Sequence, residues 1–288
     1  MNSGGPHHPF RMGTIFLVYN CGRMRYENIG GLQIPRLGLG TWRLGNDRRA
    51  DSRSLAALRA AFEAGYSHLD TAEMYADGHA EELIGQAIRG LGVRRESLFI
   101  TSKVQPSHLR YDDVLRSCAA SLKRLGTDYL DLYLIHWPSP GMKLPDTFRA
   151  LNELVKDGRV KHLGVSNFDL RLLKQSIELC ETPLLTNQVP YSLSDRRYAA
   201  NGVLDYCQRH DILLTAYSPL DEGRLNISPA LRSAAEARGA TPYQMALAWL
   251  VAQPRVITIP MSLDPGHIRE NLAAADMILS DQEMKKLS

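Results

Sequence analysis

The sequence predicts an α/β fold, a (β/α)8 TIM barrel with an N-terminal β-hairpin at the barrel floor, and three observations carry that expectation. Eight short apolar runs alternate with amphipathic stretches from residue 37 to the end. Alternation of this kind builds parallel strands joined by right-handed crossovers. The length of 288 residues suits one barrel of about 250 residues with little to spare. A doubly wound sheet is the competitor, but Gly38-Leu39-Gly40-Thr41-Trp42-Arg43 lacks the third glycine of its G-x-G-x-x-G fingerprint.

In chain order, residues 1–23 show no periodicity and read as a loosely ordered extension ahead of a single barrel domain over 24–288. Residues 24–34 carry Gly30-Gly31 between short runs, the pattern of a hairpin placed before the first strand. The strands are expected at 37–40, 67–69, 98–102, 130–135, 160–165, 185–189, 212–216 and 256–259. Between them, Leu115, Cys118, Leu122 and Leu125 share one helical face, and Phe148, Leu151 and Val155 repeat the spacing. Thr241-Pro242-Tyr243-Gln244 and Ser280-Asp281-Gln282-Glu283 are capping boxes, the first with proline at the opening helical position. Gly65, Gly126 and Gly158 stand where helices should stop.

Composition excludes several classes of function. Hydrophobic residues make up 44% and charged residues 23%, which excludes a disordered or collagen-like chain. Lysine and arginine number 34 against 31 acidic residues, a net charge of +3. That balance is too mild to argue for nucleic acid or an anionic membrane. Cys21, Cys118, Cys180 and Cys207 lie far apart, with neither disulfide-framework nor metal-ligand spacing, so no metal is expected. No apolar run approaches the ~18 residues of a membrane span, and 14–19 is a poor signal-peptide core. These features place the protein in the cytoplasm.

In a barrel, chemistry collects where the strands end. Three consecutive runs end in polar residues: Leu69-Asp70-Thr71-Ala72-Glu73-Met74-Tyr75, Thr101-Ser102-Lys103 and Leu134-Ile135-His136-Trp137-Pro138. Singly, each has a plain structural explanation, as a cap, a surface lysine or a satisfied histidine. Together they gather a carboxylate, a phenol, an ammonium and an imidazole at one barrel mouth. A phenol near pKa 10 is a weak acid at neutral pH unless a neighbouring cation stabilises its anion. Lys103 would do so, with Asp70 making the buried cation tolerable. The set holds no nucleophile. It suits protonation of a carbonyl oxygen while a redox cofactor delivers hydride.

These stretches, with Gly164-Val165-Ser166-Asn167-Phe168, Thr186-Asn187-Gln188, Ala216-Tyr217-Ser218-Pro219-Leu220 and Ile259-Pro260 through Glu270-Asn271, resemble the aldo-keto reductase superfamily from about residue 24 onward. Within it, Ala72 to Tyr75 and His136 to Pro140 look most like the bacterial 2,5-diketo-D-gluconate reductase B and methylglyoxal reductase type. The resemblance implies a catalytic tetrad of Asp70, Tyr75, Lys103 and His136, with Tyr75 as general acid and His136 orienting the substrate. It implies that a nicotinamide stacks on Tyr217, with Ser166, Asn167 and Gln188 on its carboxamide. Gly40, Thr41, Ser218, Leu220, Ser262, His267, Glu270 and Asn271 would contact the rest of the cofactor, the adenosine lying at a helix N-terminus. Trp42 and Trp137 would line the substrate pocket.

Three departures qualify the resemblance. Met261 and His267 stand where NADPH-preferring relatives carry the lysine and arginine that grip the 2′-phosphate. NADPH is therefore the expected cofactor with weakened discrimination and NADH usable. Asp221-Glu222 replaces a frequent glycine and puts two carboxylates near the expected pyrophosphate. The sequence given ends at Ser288, whereas relatives continue into a loop over the substrate pocket. The expected partner is a small carbonyl compound, and the expected state is a monomer. The alternative from another class is a cofactor-binding sensor on the same barrel without turnover. An intact tetrad counts against it, because a sensor has no use for the proton donor.

Overall fold

The computed structural model describes residues 26–288, so the extension at 1–23 lies outside the described residues. The chain opens with an antiparallel hairpin, β1 (Tyr26–Ile29) and β2 (Leu32–Pro35). Gly30 and Gly31 turn it with φ of +54° and +82°, the pair of left-handed values that a two-residue hairpin loop requires. Eight parallel strands follow: β3 (Leu39–Gly40), β4 (His68–Asp70), β5 (Phe99–Val104), β6 (Leu130–Ile135), β7 (Val160–Ser166), β8 (Leu184–Pro190), β9 (Leu213–Tyr217) and β10 (Val256–Thr258). They pair in sequence order. Gly38 N donates to Thr258 O at 2.8 Å and Gly40 N to Pro260 O at 3.0 Å, which closes the barrel between its first and last strands.

The eight expected strands are all present, displaced by no more than two residues at either end. The helices between them are α1 (Asp51–Ala64), α2 (His79–Leu91), α3 (Tyr111–Leu125), α4 (Leu144–Lys156), α5 (Leu170–Leu179), α6 (Arg197–Ala200), α7 (Val203–Arg209), α8 (Pro229–Ala237) and α9 (Pro242–Val251). Two more, α10 (Pro265–Ala274) and α11 (Asp281–Leu287), follow the last strand. Cys118, Leu122 and Leu125 are buried on α3, and both capping boxes form, at Thr241 and at Ser280. Gly65 and Gly126 cap α1 and α3 in the left-handed conformation.

The hairpin plugs the floor. Its Ile29 and Ile34 join Phe99, Leu132, Leu134, Leu185, Leu213 and Ile257 in one buried cluster contributed by five barrel strands. Buried Glu27 locks the plug in place, paired with Arg36 and Arg255 at 2.5 Å each. With the floor filled, the accessible end of the barrel is the one where the strands terminate. Among the described residues no helix is long and apolar enough to cross a membrane, and no cluster of potential metal ligands occurs. Cys118 and Cys207 are buried free thiols and Cys180 is half-buried and free; Cys21 lies outside the described residues.

Candidate active site

The strand register brings the polar strand ends to one level. Asp70 closes β4, Lys103 lies in β5, and His136 follows β6 directly. Lys103 is fully buried and makes three hydrogen bonds: to Asp70 Oδ1 at 2.5 Å, to Thr71 O at 2.7 Å and to the Tyr75 hydroxyl at 3.3 Å. That uses every ammonium proton, which is what makes a buried lysine tolerable. The second Asp70 oxygen accepts from Gln188 Nε2 at 2.7 Å. Tyr75 sits in a tight turn, followed by Ala76 and Asp77 at φ of 50° and 54°. Its ring meets that of His136 edge-on, centroids 5.6 Å apart.

Burial sets the protonation states. Burial pushes the Tyr75 phenol above its ordinary value, against the pull of Lys103, and the nearby Asp70 carboxylate adds to the upward shift. This corrects the expectation of a lowered phenol: Lys103 opposes the burial penalty without overcoming it, and Asp70 acts on the phenol in the opposite direction to the lysine. For Lys103, burial disfavours the ammonium, but the Asp70 and Tyr75 partners outweigh it and the net shift is upward. Burial, helped by Lys103, lowers His136 to about 3, so the imidazole is neutral at ordinary pH. Its Nδ1 is buried without a hydrogen-bond partner.

A cavity of about 650 Å³ opens above this cluster, within the usual range for small-molecule sites. Asp70, Tyr75 and His136 line it, and so do Gly40, Thr41, Trp42, Trp137, Ser166, Asn167, Gln188, Tyr217, Ser218, Leu220, Ser262, His267, Glu270 and Asn271. Lys103 does not line it and acts from underneath. The cradle is cross-linked. Tyr217 donates to Asn167 Oδ1 at 2.9 Å, Asn167 Nδ2 to His136 O at 3.1 Å, and Ser166 Oγ to Gln188 O at 2.8 Å. Among the described residues, six of the eight non-glycine positions with positive φ line the cavity or lie within two residues of one that does: Ala76, Asp77, Asn167, Ser218, Asp221 and Glu222. Strain of this kind costs about 1–3 kcal/mol per residue and collects at functional sites.

The far wall differs from expectation in one respect. The N-terminus of α10 is not open to a phosphate, because Asp264 Oδ1 accepts from Gly266 N at 2.7 Å and His267 N at 3.0 Å. The chain's own carboxylate takes the position an anion would occupy. The paired acids are also accounted for. Asp221 accepts from Ser192 Oγ at 2.9 Å, while Glu222 pairs with Arg224 at 3.3 Å and Arg43 at 3.7 Å across the cavity mouth. Met261 and Glu222, expected near the cofactor phosphates, line the cavity, and so do Arg43, Pro219, Gly223, Tyr243, Ile259 and Pro260, which were not assigned to it from sequence. Arg43 directly follows Trp42 and could have been read from that adjacency. Tyr243 left no such signal, sitting inside a helix cap.

The fold and its lining define a barrel enzyme with a phenol over a buried lysine–aspartate pair. The Aldo/keto reductase family model matches residues 36–288, and the chain belongs to that family. It is 38% identical over 267 residues to the methylglyoxal reductase YeaE of Escherichia coli, covering 90% of this chain and 91% of that protein. A thermostable aldo-keto reductase, Tm1743, crystallised with the inhibitor epalrestat, superposes with a TM-score of 0.89 at 47% identity, covering 92% of this chain and 98% of that one. An aldo-keto reductase from Klebsiella pneumoniae bound to NADP and acetate superposes at 0.83 and 39% identity, covering 91% and 93%. The chain is thus an NAD(P)H-dependent oxidoreductase by family.

Proposed function

We propose that the protein reduces the carbonyl group of small aldehydes and keto-sugars to alcohols, with Tyr75 as the proton donor. The observation that carries this reading is the chain of contacts from Asp70 through Lys103 to the Tyr75 hydroxyl, beside His136, in the wall of a cavity large enough for a dinucleotide end and a small substrate. A reduced nicotinamide, when bound, supplies the hydride. The fit of such a group rests on the half-buried Tyr217 in the cavity wall, the polar side chains of Ser166, Asn167 and Gln188 that line it too, and the positive φ at Asn167 and Ser218. Those residues would hold the nicotinamide end, and Ser262, His267, Glu270 and Asn271 the adenosine end.

The chain's own contribution is proton placement and positioning. The raised Tyr75 phenol stays protonated through the neutral range, so the acid form is fully available in the direction of reduction. Lys103 lies 3.3 Å from the hydroxyl and stabilises the phenolate as the proton leaves. Neutral His136 directs the carbonyl oxygen towards that proton by hydrogen bonding. Trp42 and Trp137, both partly exposed in the cavity wall, shed water from the reacting carbonyl. Weak selection between NADPH and NADH belongs to the same reading, supported by Met261, His267 and the Asp264 cap.

Replacing Tyr75 with Phe removes one oxygen from the buried cluster and tests the assignment. Reduction of methylglyoxal should fall by roughly 10²–10⁴-fold, with cofactor affinity measured by titration unchanged. Near-normal turnover in Tyr75→Phe would refute the proposal.

A further inference from the structure

Tyr243 is an aromatic residue left 37% exposed in the wall of the cavity. It is the second residue of α9. The reciprocal cap between Thr241 and Gln244 fixes that first turn, and Gln244 Nε2 donates to Glu270 O at 3.1 Å, tying the turn to α10. Tyr243 therefore shares a wall with His267, Glu270 and Asn271. Among the described residues its ring has no aromatic or cationic partner and its hydroxyl no hydrogen bond. The one arginine lining the cavity, Arg43, is paired with Glu222 and stacked on Trp42. This end of the cavity thus offers an unpartnered aromatic residue, and among the described residues no lysine or second arginine lines it.

We propose that Tyr243 is the stacking platform for the purine ring of the dinucleotide, so that the base, and not a 2′-phosphate, anchors the adenosine end. This rests on the reading of the cavity as a nicotinamide-dinucleotide site. A flat heterocycle on an aromatic face gains attraction that is indifferent to ribose phosphorylation. The Asp264 carboxylate across the α10 N-terminus adds nothing for a phosphate. Stacking on Tyr243 therefore supplies the same affinity to NADH and NADPH.

The test is equilibrium calorimetry with NADH, NADPH and ADP-ribose on the wild type, Tyr243→Ala and Tyr243→Phe. Tyr243→Ala should weaken all three by a similar factor of about tenfold, while Tyr243→Phe stays within about twofold. Turnover with reduced nicotinamide mononucleotide, which has no purine, should be the same in all three proteins. Unchanged dinucleotide affinity in Tyr243→Ala overturns the proposal, as does a loss confined to NADPH. A matching loss with the mononucleotide also overturns it, by showing general damage to the site. If the wild type binds none of the dinucleotides, the reading of the cavity fails first, and the proposal with it.

Discussion

Beneath the cavity, at β4 to β6, Lys103 and Asp70 are buried and every ammonium proton is used, whereas at α10 His267 and Glu270 stand in solvent. A buried charge has few places it can be and must be met within hydrogen-bond distance. It is therefore written into strand ends whose register is fixed by pairing on both sides. The exposed end carries no such penalty. An exposed residue such as His267 can be exchanged there at small cost to folding, without disturbing the barrel. The difference separates side chains that the fold holds rigidly from side chains that it leaves free to vary.

The most direct way to break that contrast is to remove the buried cation. Lys103→Met leaves the Asp70 carboxylate with Gln188 Nε2 as its remaining side-chain donor. Losing one partner of a buried pair costs about 3–5 kcal/mol, so urea unfolding should show a loss of that order. Turnover should fall at least about 100-fold with it. The matching change at the other end, His267→Met, should shift stability by no more than about 0.5 kcal/mol. Equal losses in the two variants would erase the distinction.

Acid separates the two ends more gently. Burial holds His136 at about 3 and His68 at about 4, both below the unfolded value near 6.5. Between those limits the unfolded chain binds protons that the native chain refuses, so stability rises with pH and falls on acidification below about 6.5. Each histidine contributes up to ~1.4 kcal/mol per pH unit in that window. His136→Asn should flatten the dependence of the urea midpoint between pH 6.5 and 4.5, and an unchanged slope would show that His136 is not held neutral. Above that window, reduction by the wild type should run flat from about pH 6.5 to 9, because the Tyr75 phenol is raised and His136 titrates far below.

The same contrast governs how much was legible in the sequence. The barrel and the four residues Asp70, Tyr75, Lys103 and His136 follow from apolar runs that end in polar residues, a signal that burial makes strong, and the floor hairpin follows from Gly30-Gly31. The Gln188 bond to Asp70 spans 118 positions and has no local pattern to betray it. The Asp264 cap was missed because Asp264-Pro265 reads equally as a helix start and as a phosphate-binding turn. Tyr243 was hidden for a related reason. The capping box explains its neighbours completely, and only the three-dimensional placement of α9 against α10 turns its ring towards the cavity.

The smallest expected effect sharpens the comparison from the exposed end. Met261→Lys combined with His267→Arg places two cations at positions where the wild type has none. Charge-assisted hydrogen bonds to phosphate reach about 1.5–3 kcal/mol when shielded, but His267 is exposed, Met261 is only half-buried, and the Asp264 carboxylate stays against the His267 backbone. Screening reduces the expected gain to about 1 kcal/mol. NADPH affinity should then rise by roughly fivefold over NADH at low ionic strength, and the advantage should fade in 0.5 M salt (roughly a 4 Å Debye length). Adding Asp264→Ser keeps a capping oxygen and removes the negative charge, so the preference should grow further. A double variant that discriminates no better than the wild type would show that the phosphate lies beyond the reach of α10. Purine stacking, and not the phosphate, would then anchor the adenosine end.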